Sequence, residues 1–266
     1  MIHQIIKNKP TRLFIILGGF FIANALIAEI IGVKIFSLEK TLGFAPLDIH
    51  LLGNDLSLNL TAGVLLWPVV FIMTDIINEY YGMKGVRFLS YLTAGLIAFA
   101  FLIFIFAMKL VPADFFITSK QGSGVPDMDK AYNSVLGQGG FIIAGSLTAF
   151  ILGQLIDVFV FHKIKKVTGE KSIWLRATGS TIVSQFIDSF VVLFIAFYVG
   201  TRVNRTGNDF VWPFSLFIAV GIVNYIYKFF VAIVLTPVIY LIHGWIEKYL
   251  GHELAAEMKK AAMKDE

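Results

Sequence analysis

Apolar residues fill this chain in six long blocks, parted by shorter stretches richer in Lys, Gly, Asp and Asn. A bilayer core about 30 Å thick takes about 20 apolar helical residues to cross. Residues 13–33, 60–80, 89–111, 139–161, 177–199 and 214–241 therefore read as six transmembrane helices. The last block exceeds a single crossing and is expected to tilt, and Pro68 and Pro237 are expected kinks. The first block is too long for a signal-peptide core, contains Glu29 and lacks an A-x-A site, so it reads as a retained helix.

Between the first two blocks the period changes. Leu47, Ile49 and Leu51, then Gly53-Asn54, then Leu56, Leu58 and Leu60 alternate with polar residues, which predicts a small hairpin turning at Gly53-Asn54. Residues 112–138 hold Gln121-Gly122-Ser123-Gly124 and two prolines and are expected to be irregular. Residues 247–266 read as a solvated or interfacial helix. The connections on one side carry fourteen Lys and Arg, the other six. Basic residues stay in the cytoplasm, so both termini are expected there and the hairpin on the periplasmic side. The expectation is one all-α, polytopic domain spanning 1–266, in a bacterial inner membrane.

Composition agrees and removes other classes. The chain is 57% hydrophobic and only 15% charged, with a mean hydropathy of +0.78, whereas soluble domains run near a quarter charged. A net charge of +4 with no concentrated basic face gives no nucleic-acid partner. Zero Cys removes disulfides, thiolate nucleophiles and Cys-ligated metals. There is no G-x-x-x-x-G-K-[ST] loop and no H-E-x-x-H, and the five His fall in connections or at helix ends on this reading. Asp157 and Asp188 differ in depth by roughly 10 Å of helix rise, too far for a protease dyad. The expectation is no enzyme, no cofactor, no metal and no catalytic residue.

A charge near mid-membrane costs about 2.5–3.5 kcal/mol on insertion scales, so each needs a reason. Glu29, Asp75, Asp157, Asp188 and Lys228 lie within the blocks. Asp75, Asn78 and Glu79 share one helix face by spacing, as do Gln154 and Asp157. The fifth helix carries Thr181, Ser184, Gln185 and Asp188, and the sixth Asn224 and Lys228. Asp188 and Lys228 match in depth, so pairing would lower the cost of both. A carboxylate accepts adjacent N–H donors, an amide donates to the carbonyl beside them, and aromatic rings stack flat bases. Such a lining suits a guanine-type edge, but composition alone supports only a polar cavity.

Four segments carry a resemblance: Thr74-Asp75-Ile76-Ile77-Asn78-Glu79-Tyr80-Tyr81-Gly82 on to Arg87; Gly153 to Phe161; Leu175-Arg176-Ala177-Thr178-Gly179-Ser180-Thr181 through Ser184, Gln185 and Asp188 to Phe197; and Tyr225-Ile226-Tyr227-Lys228 with Pro237 downstream. In this order they resemble the queuosine-precursor transporters of the vitamin uptake transporter family. The resemblance implies six helices and import of 7-deazaguanine bases (preQ0, preQ1) or queuine, a small-molecule nucleobase, for tRNA modification. It implies substrate-binding roles for Asp75, Asn78, Glu79, Gln154, Asp157, Gln185, Asp188 and Lys228, to which the spacing adds Asn224; Arg176 is expected to gate or to anchor. Protonation of Asp75 or Asp157 as the coupling step and facilitated diffusion both fit. An ATPase partner is not required, and a homo-oligomer is compatible. The rival readings are a membrane subunit of an ATP-driven vitamin uptake system and a transporter of another purine-like molecule.

Overall fold

The computed structural model describes residues 7–137, 139–169, 172–203 and 210–263. Helix α1 (Lys9–Ile31) opens with Pro10 in its first turn, and the Asn8 side chain accepts the Thr11 N–H at 3.0 Å. Both are favoured at helix starts because the first N–H groups lack helical partners. A compact excursion follows: β1 (Ile35–Ser37), α2 (Leu38–Thr41), β2 (Ile49–Leu51), β3 (Asn54–Leu56) and β4 (Asn59–Thr61). β1 pairs antiparallel with β4, and β2 with β3. The expected hairpin is there, but it turns at Leu52-Gly53, both at positive φ, and Asn54 already pairs with Leu51. Two successive positive φ values match the twist of tight hairpins, so the turn sits one residue earlier than the Gly-Asn pair suggested. Glu39 knots the excursion by accepting from the Leu58 N–H at 2.6 Å and the Ser37 hydroxyl at 2.9 Å.

Residues 60–80 and 89–111 were expected as separate helices joined by a loop. They form one element, α3 (Trp67–Met108, 42 residues), interrupted only at Gly82 with φ 67° and ψ −175°. That conformation is open only to glycine, and a Cβ there would meet the Ala262 carbonyl at 2.9 Å. The chain doubles back at this residue. Gly63, just before α3, lies against Ala28 near the end of α1, and the Tyr81 hydroxyl donates to the Pro10 carbonyl at 2.7 Å near its start. Beyond the break the order along α1 rises again, with Gly85 beside Phe14 and Leu89 beside Gly18. The loop expected around 81–88 is therefore a single residue.

The 112–138 connection is not irregular throughout. It contains α4 (Asp114–Thr118) and α5 (Met128–Leu136), the latter capped by Asp127, whose carboxylate accepts the Lys130 N–H at 3.0 Å. Next come α6 (Gly140–Thr168), α7 (Ile173–Leu193), a π-helical turn (Phe194–Val199), α8 (Gly200–Val203), α9 (Phe214–Leu250) and α10 (His252–Ala262). Pro68 sits in the first turn of α3, where its missing N–H costs nothing. Pro237 lies inside α9, which remains one helix, so neither proline breaks a helix. Five helical runs among the described residues are long and apolar enough to cross a membrane. Their core centres on Phe21, Ile76, Ile77, Ile97, Phe150 and Phe161, where α1, α3 and α6 meet. α7 packs along α6 and α9 along α7, and α10 returns to α3 at the Gly82 break.

Candidate functional site

The first buried polar group lies where α3, α6 and α7 converge below Gly82. Glu79 accepts a fork from Arg176, Nε to Oε2 at 3.1 Å and Nη2 to Oε1 at 2.7 Å. Lys165 Nζ stands 3.0 Å from Glu79 Oε2 and donates to the Glu79 carbonyl at 3.1 Å. All three side chains are at most 2% exposed. Arg176 Nη1 also donates to the Gly169 carbonyl at 2.9 Å. A planar guanidinium matches a carboxylate with two parallel bonds, so one carboxylate clamps three helices. Lys165 is one of the fourteen basic residues that the sequence assigns to the cytoplasmic connections, but α6 runs to Thr168, and Lys165 shares a face with Gln154, Asp157 and Phe161 by helical spacing. Arg176 is likewise no headgroup anchor, being buried on Glu79.

One turn above, the polar groups are left open. Asp75 receives Ser180 at 3.3 Å and Thr181 at 3.5 Å, and Asp157 receives Ser184 at 2.9 Å. Ser180 and Thr181 also lie close enough to Asp157 to interact with it. Gln154 Oε1 accepts the Thr74 hydroxyl at 2.7 Å. Among the described residues no partner meets Gln154 Nε2, Asp157 Oδ2, Gln185 Nε2 or either end of the Asn78 amide. Buried polar atoms are nearly always paired, so these unspent donors and acceptors set the cluster apart from the rest of the bundle. Gly153 lies at this helix crossing, where a Cβ would be in ordinary contact with Asp188 Cβ at 3.6 Å and the Phe71 ring at 3.8 Å.

A cleft between α3, α7 and α9 reaches this cluster. Trp67, Phe71, Asp75, Thr181, Gln185 and Lys228 line it, with aliphatic side chains of α9 opposite. Its free volume is about 30 Å³, room for one or two waters, so a larger guest requires α9 to part from α3. Lys228 and Asp188 form the expected ion pair at 2.5 Å, 14% and 20% exposed. Thr178 and Thr236 bond across α7 and α9 at 3.0 Å.

The nine residues expected to bind substrate thus divide. Asp75, Gln185 and Lys228 face the cleft, and Asp188 holds Lys228. Gln154, Asp157 and Asn78 are buried and do not line the cleft. Glu79 is consumed by Lys165 and Arg176, and Asn224 Nδ2 is turned to the Val220 carbonyl of its own helix. The hydroxyls of Thr74 and Ser180 and the rings of Trp67 and Phe71 joined the site only with the fold. His162 and His243, read as lying in connections or at helix ends, are within α6 and α9 and buried, and His243 Nδ1 lies 3.0 Å from the Tyr80 hydroxyl. Among the described residues no cluster could hold a metal ion.

An apolar helical bundle that encloses a partly unsatisfied polar cleft has the make-up of a membrane transporter. The sequence profile described as "Putative vitamin uptake transporter" matches residues 61–242, more than half of the chain, and the chain belongs to that family. A Bacillus subtilis (strain 168) protein described as "Probable queuosine precursor transporter" is 29% identical over 184 residues, 69% of this chain and 71% of the relative. A Haemophilus influenzae protein with the same description is 27% identical over 69% of this chain and 68% of its own. The "Queuosine precursor transporter" of Escherichia coli (strain K12) is 27% identical over 67% and 70%. No solved structure matches the chain significantly. The protein is a multi-pass membrane protein whose matched relatives are bacterial.

Proposed function

We propose that this protein imports queuosine precursors, 7-deazaguanine bases such as preQ0 and preQ1 or the related queuine, across the bacterial inner membrane without a separate ATPase. The observation that carries the reading is the α3–α7–α9 cleft, where Asp75 and Gln185 stand beside Trp67 and Phe71. Asp75 would accept the adjacent N–H donors of the base, the Gln185 amide would donate to its carbonyl, and the two rings would stack on its faces. The printed descriptions of the relatives support the same substrate class. The 42-residue α3 spans about 63 Å if straight, twice a bilayer core. Reversal at Gly82 converts it into two crossings, giving six in all, with both termini on the cytoplasmic side by the basic-residue rule.

The test is complementation. A bacterium unable to make or import the precursor expresses this chain and receives preQ0, preQ1 or queuine in turn at limiting concentration, and queuosine is assayed in its tRNA. Restoration with no added ATPase subunit supports the reading and identifies the base. A membrane-inserted protein that restores nothing with any of the three overturns it.

A further inference from the structure

The bundle buries more carboxylate than its cations cover. Glu79 has Lys165 and Arg176, and Asp188 has Lys228. Among the described residues, Asp75 and Asp157, 2% and 0% exposed, receive only hydroxyls. We propose that Asp75 and Asp157 form one proton-binding site, joined by Ser180, Thr181 and Ser184, and that a proton travels with each imported base. The proposal rests on the transport reading above.

Two buried carboxylates served by the same run of α7 hydroxyls are costly to keep ionised together, because among the described residues no cation is paired with either to offset the loss of water. The hydroxyls between them fit either protonation state. Ser180 Oγ lies 3.3 Å from Asp75 Oδ1 and 3.1 Å from the Ala177 carbonyl; Ser184 Oγ lies 2.9 Å from Asp157 Oδ1 and 3.1 Å from the Thr181 carbonyl. A hydroxyl has one proton to give. Against a carboxylate it donates sideways; against a carboxylic acid it accepts, and turns its own proton to the helix carbonyl. Asp157 Oδ2, without a partner among the described residues, is a free oxygen for the added proton.

The neighbouring charges named here have partners of their own. On α3 and α6, Glu79 and Lys165 are bound to each other, and on α7 Arg176 joins them and Asp188 faces Lys228. On α9, Lys228 shares the cleft with Asp75 but is held by Asp188, and His243 is bonded to Tyr80. Glu29 of α1 receives Ser146, and Lys259 of α10 pairs with Glu247.

Coupling follows from the division of labour. Asp75 lines the cleft and Asp157 does not. An incoming base needs Asp75 as a carboxylate to accept its N–H groups. A proton on Asp157 removes the repulsion that ionised Asp75 would otherwise feel, so proton and base each strengthen the other's binding, as linkage requires. The pair passes from two negative charges to one when the proton binds, and the proton leaves with the base.

The test uses the purified full-length protein in liposomes with radiolabelled preQ0, a neutral base. An inside-alkaline gradient of one pH unit is expected to give up to about tenfold accumulation, and D157N is expected to abolish that accumulation while label exchange between equal pools persists at whatever rate the variant retains. D157E is expected to restore coupling, and S184A to weaken it. Exchange without gradient-driven accumulation in the unaltered protein overturns this proposal and leaves the transport reading standing. Absence of all exchange overturns the transport reading instead. Infrared difference spectra of the ligand-free protein across pH then decide the proton site by itself: a protonated-carboxyl band that D157N removes supports the site, and its absence overturns it.

Discussion

Two polar groups lie one helical turn apart in this bundle and could hardly be built more differently. Around Glu79, charges of both signs meet in a fork plus a third bond, at most 2% exposed. Around Asp75, Asp157, Asn78, Gln154 and Gln185, two carboxylates face hydroxyls, and the Asn78 amide and the Gln154 and Gln185 amide nitrogens meet no partner among the described residues. The first group spends its bonding capacity on joining helices; the second withholds it. That difference separates a clamp from the proposed ligand site more sharply than residue type does, because Glu79 and Asp75 come from the same face of the same helix.

The largest effect is expected from breaking the clamp. E79A removes the carboxylate that both Lys165 and Arg176 bind, and a loss of about 3–5 kcal/mol is expected, read as a collapse of the thermal transition in detergent. Should E79A melt like the unaltered protein, the clamp is no clamp. G82A, at the reversal that sets the clamp beneath the cleft, is expected to cost about 1–3 kcal/mol, since φ 67° with ψ −175° excludes a side chain and the Ala262 carbonyl blocks it. Its melting point relative to that of G95A, on an open face of α3, isolates the backbone cost.

In the cleft the signs reverse. Q185L removes an amide nitrogen that bonds nothing among the described residues, so stability is expected to hold within about 1 kcal/mol. Base affinity should fall roughly ten- to hundredfold for one lost hydrogen bond, measured as the uptake KM. A Q185L protein that melts early yet transports normally would invert the comparison. The smallest effect lies outside the membrane, at Glu39. Burial works to raise its carboxyl, but the Leu58 N–H, the Ser37 hydroxyl and the Leu47 N–H outweigh it and hold it below the usual carboxylate range. A depressed value stabilises above the unfolded carboxylate value and is lost as pH falls through the folded one. Protection of the Leu58 amide in hydrogen exchange should therefore persist from neutral pH into mild acid and fall only below the ordinary glutamate range, with no change on the alkaline side.

Much of this was readable beforehand. The hydropathy blocks locate the five long apolar helical runs, two blocks falling within α3, and the spacing of Asp75, Asn78 and Glu79 puts them on one face. Depth matching found Asp188 with Lys228. Lys165 was missed because a lysine after an apolar block resembles a loop charge, although its face repeat with Gln154, Asp157 and Phe161 carried the signal. The 81–88 loop was overestimated because Lys84 and Arg87 look like connection residues, while the reversal needs only Gly82. The hairpin turn was misplaced by one residue because Leu52 takes a positive φ that leucine rarely adopts.

The sequence by itself determined the solvent of this protein, the number and rough extent of its apolar blocks, the polar faces they carry and the family they belong to. These are one-dimensional properties: a stretch is apolar enough for the bilayer or it is not, and a residue's helix face follows from its spacing. Only the tertiary structure decided which carboxylates acquire cations and which are left to hydroxyls. That outcome depends on how far each helix slides and turns against its neighbours. Hydrogen bonds and ion pairs discriminate over about an ångström, while a hydrophobic block fits the membrane equally well across a whole turn.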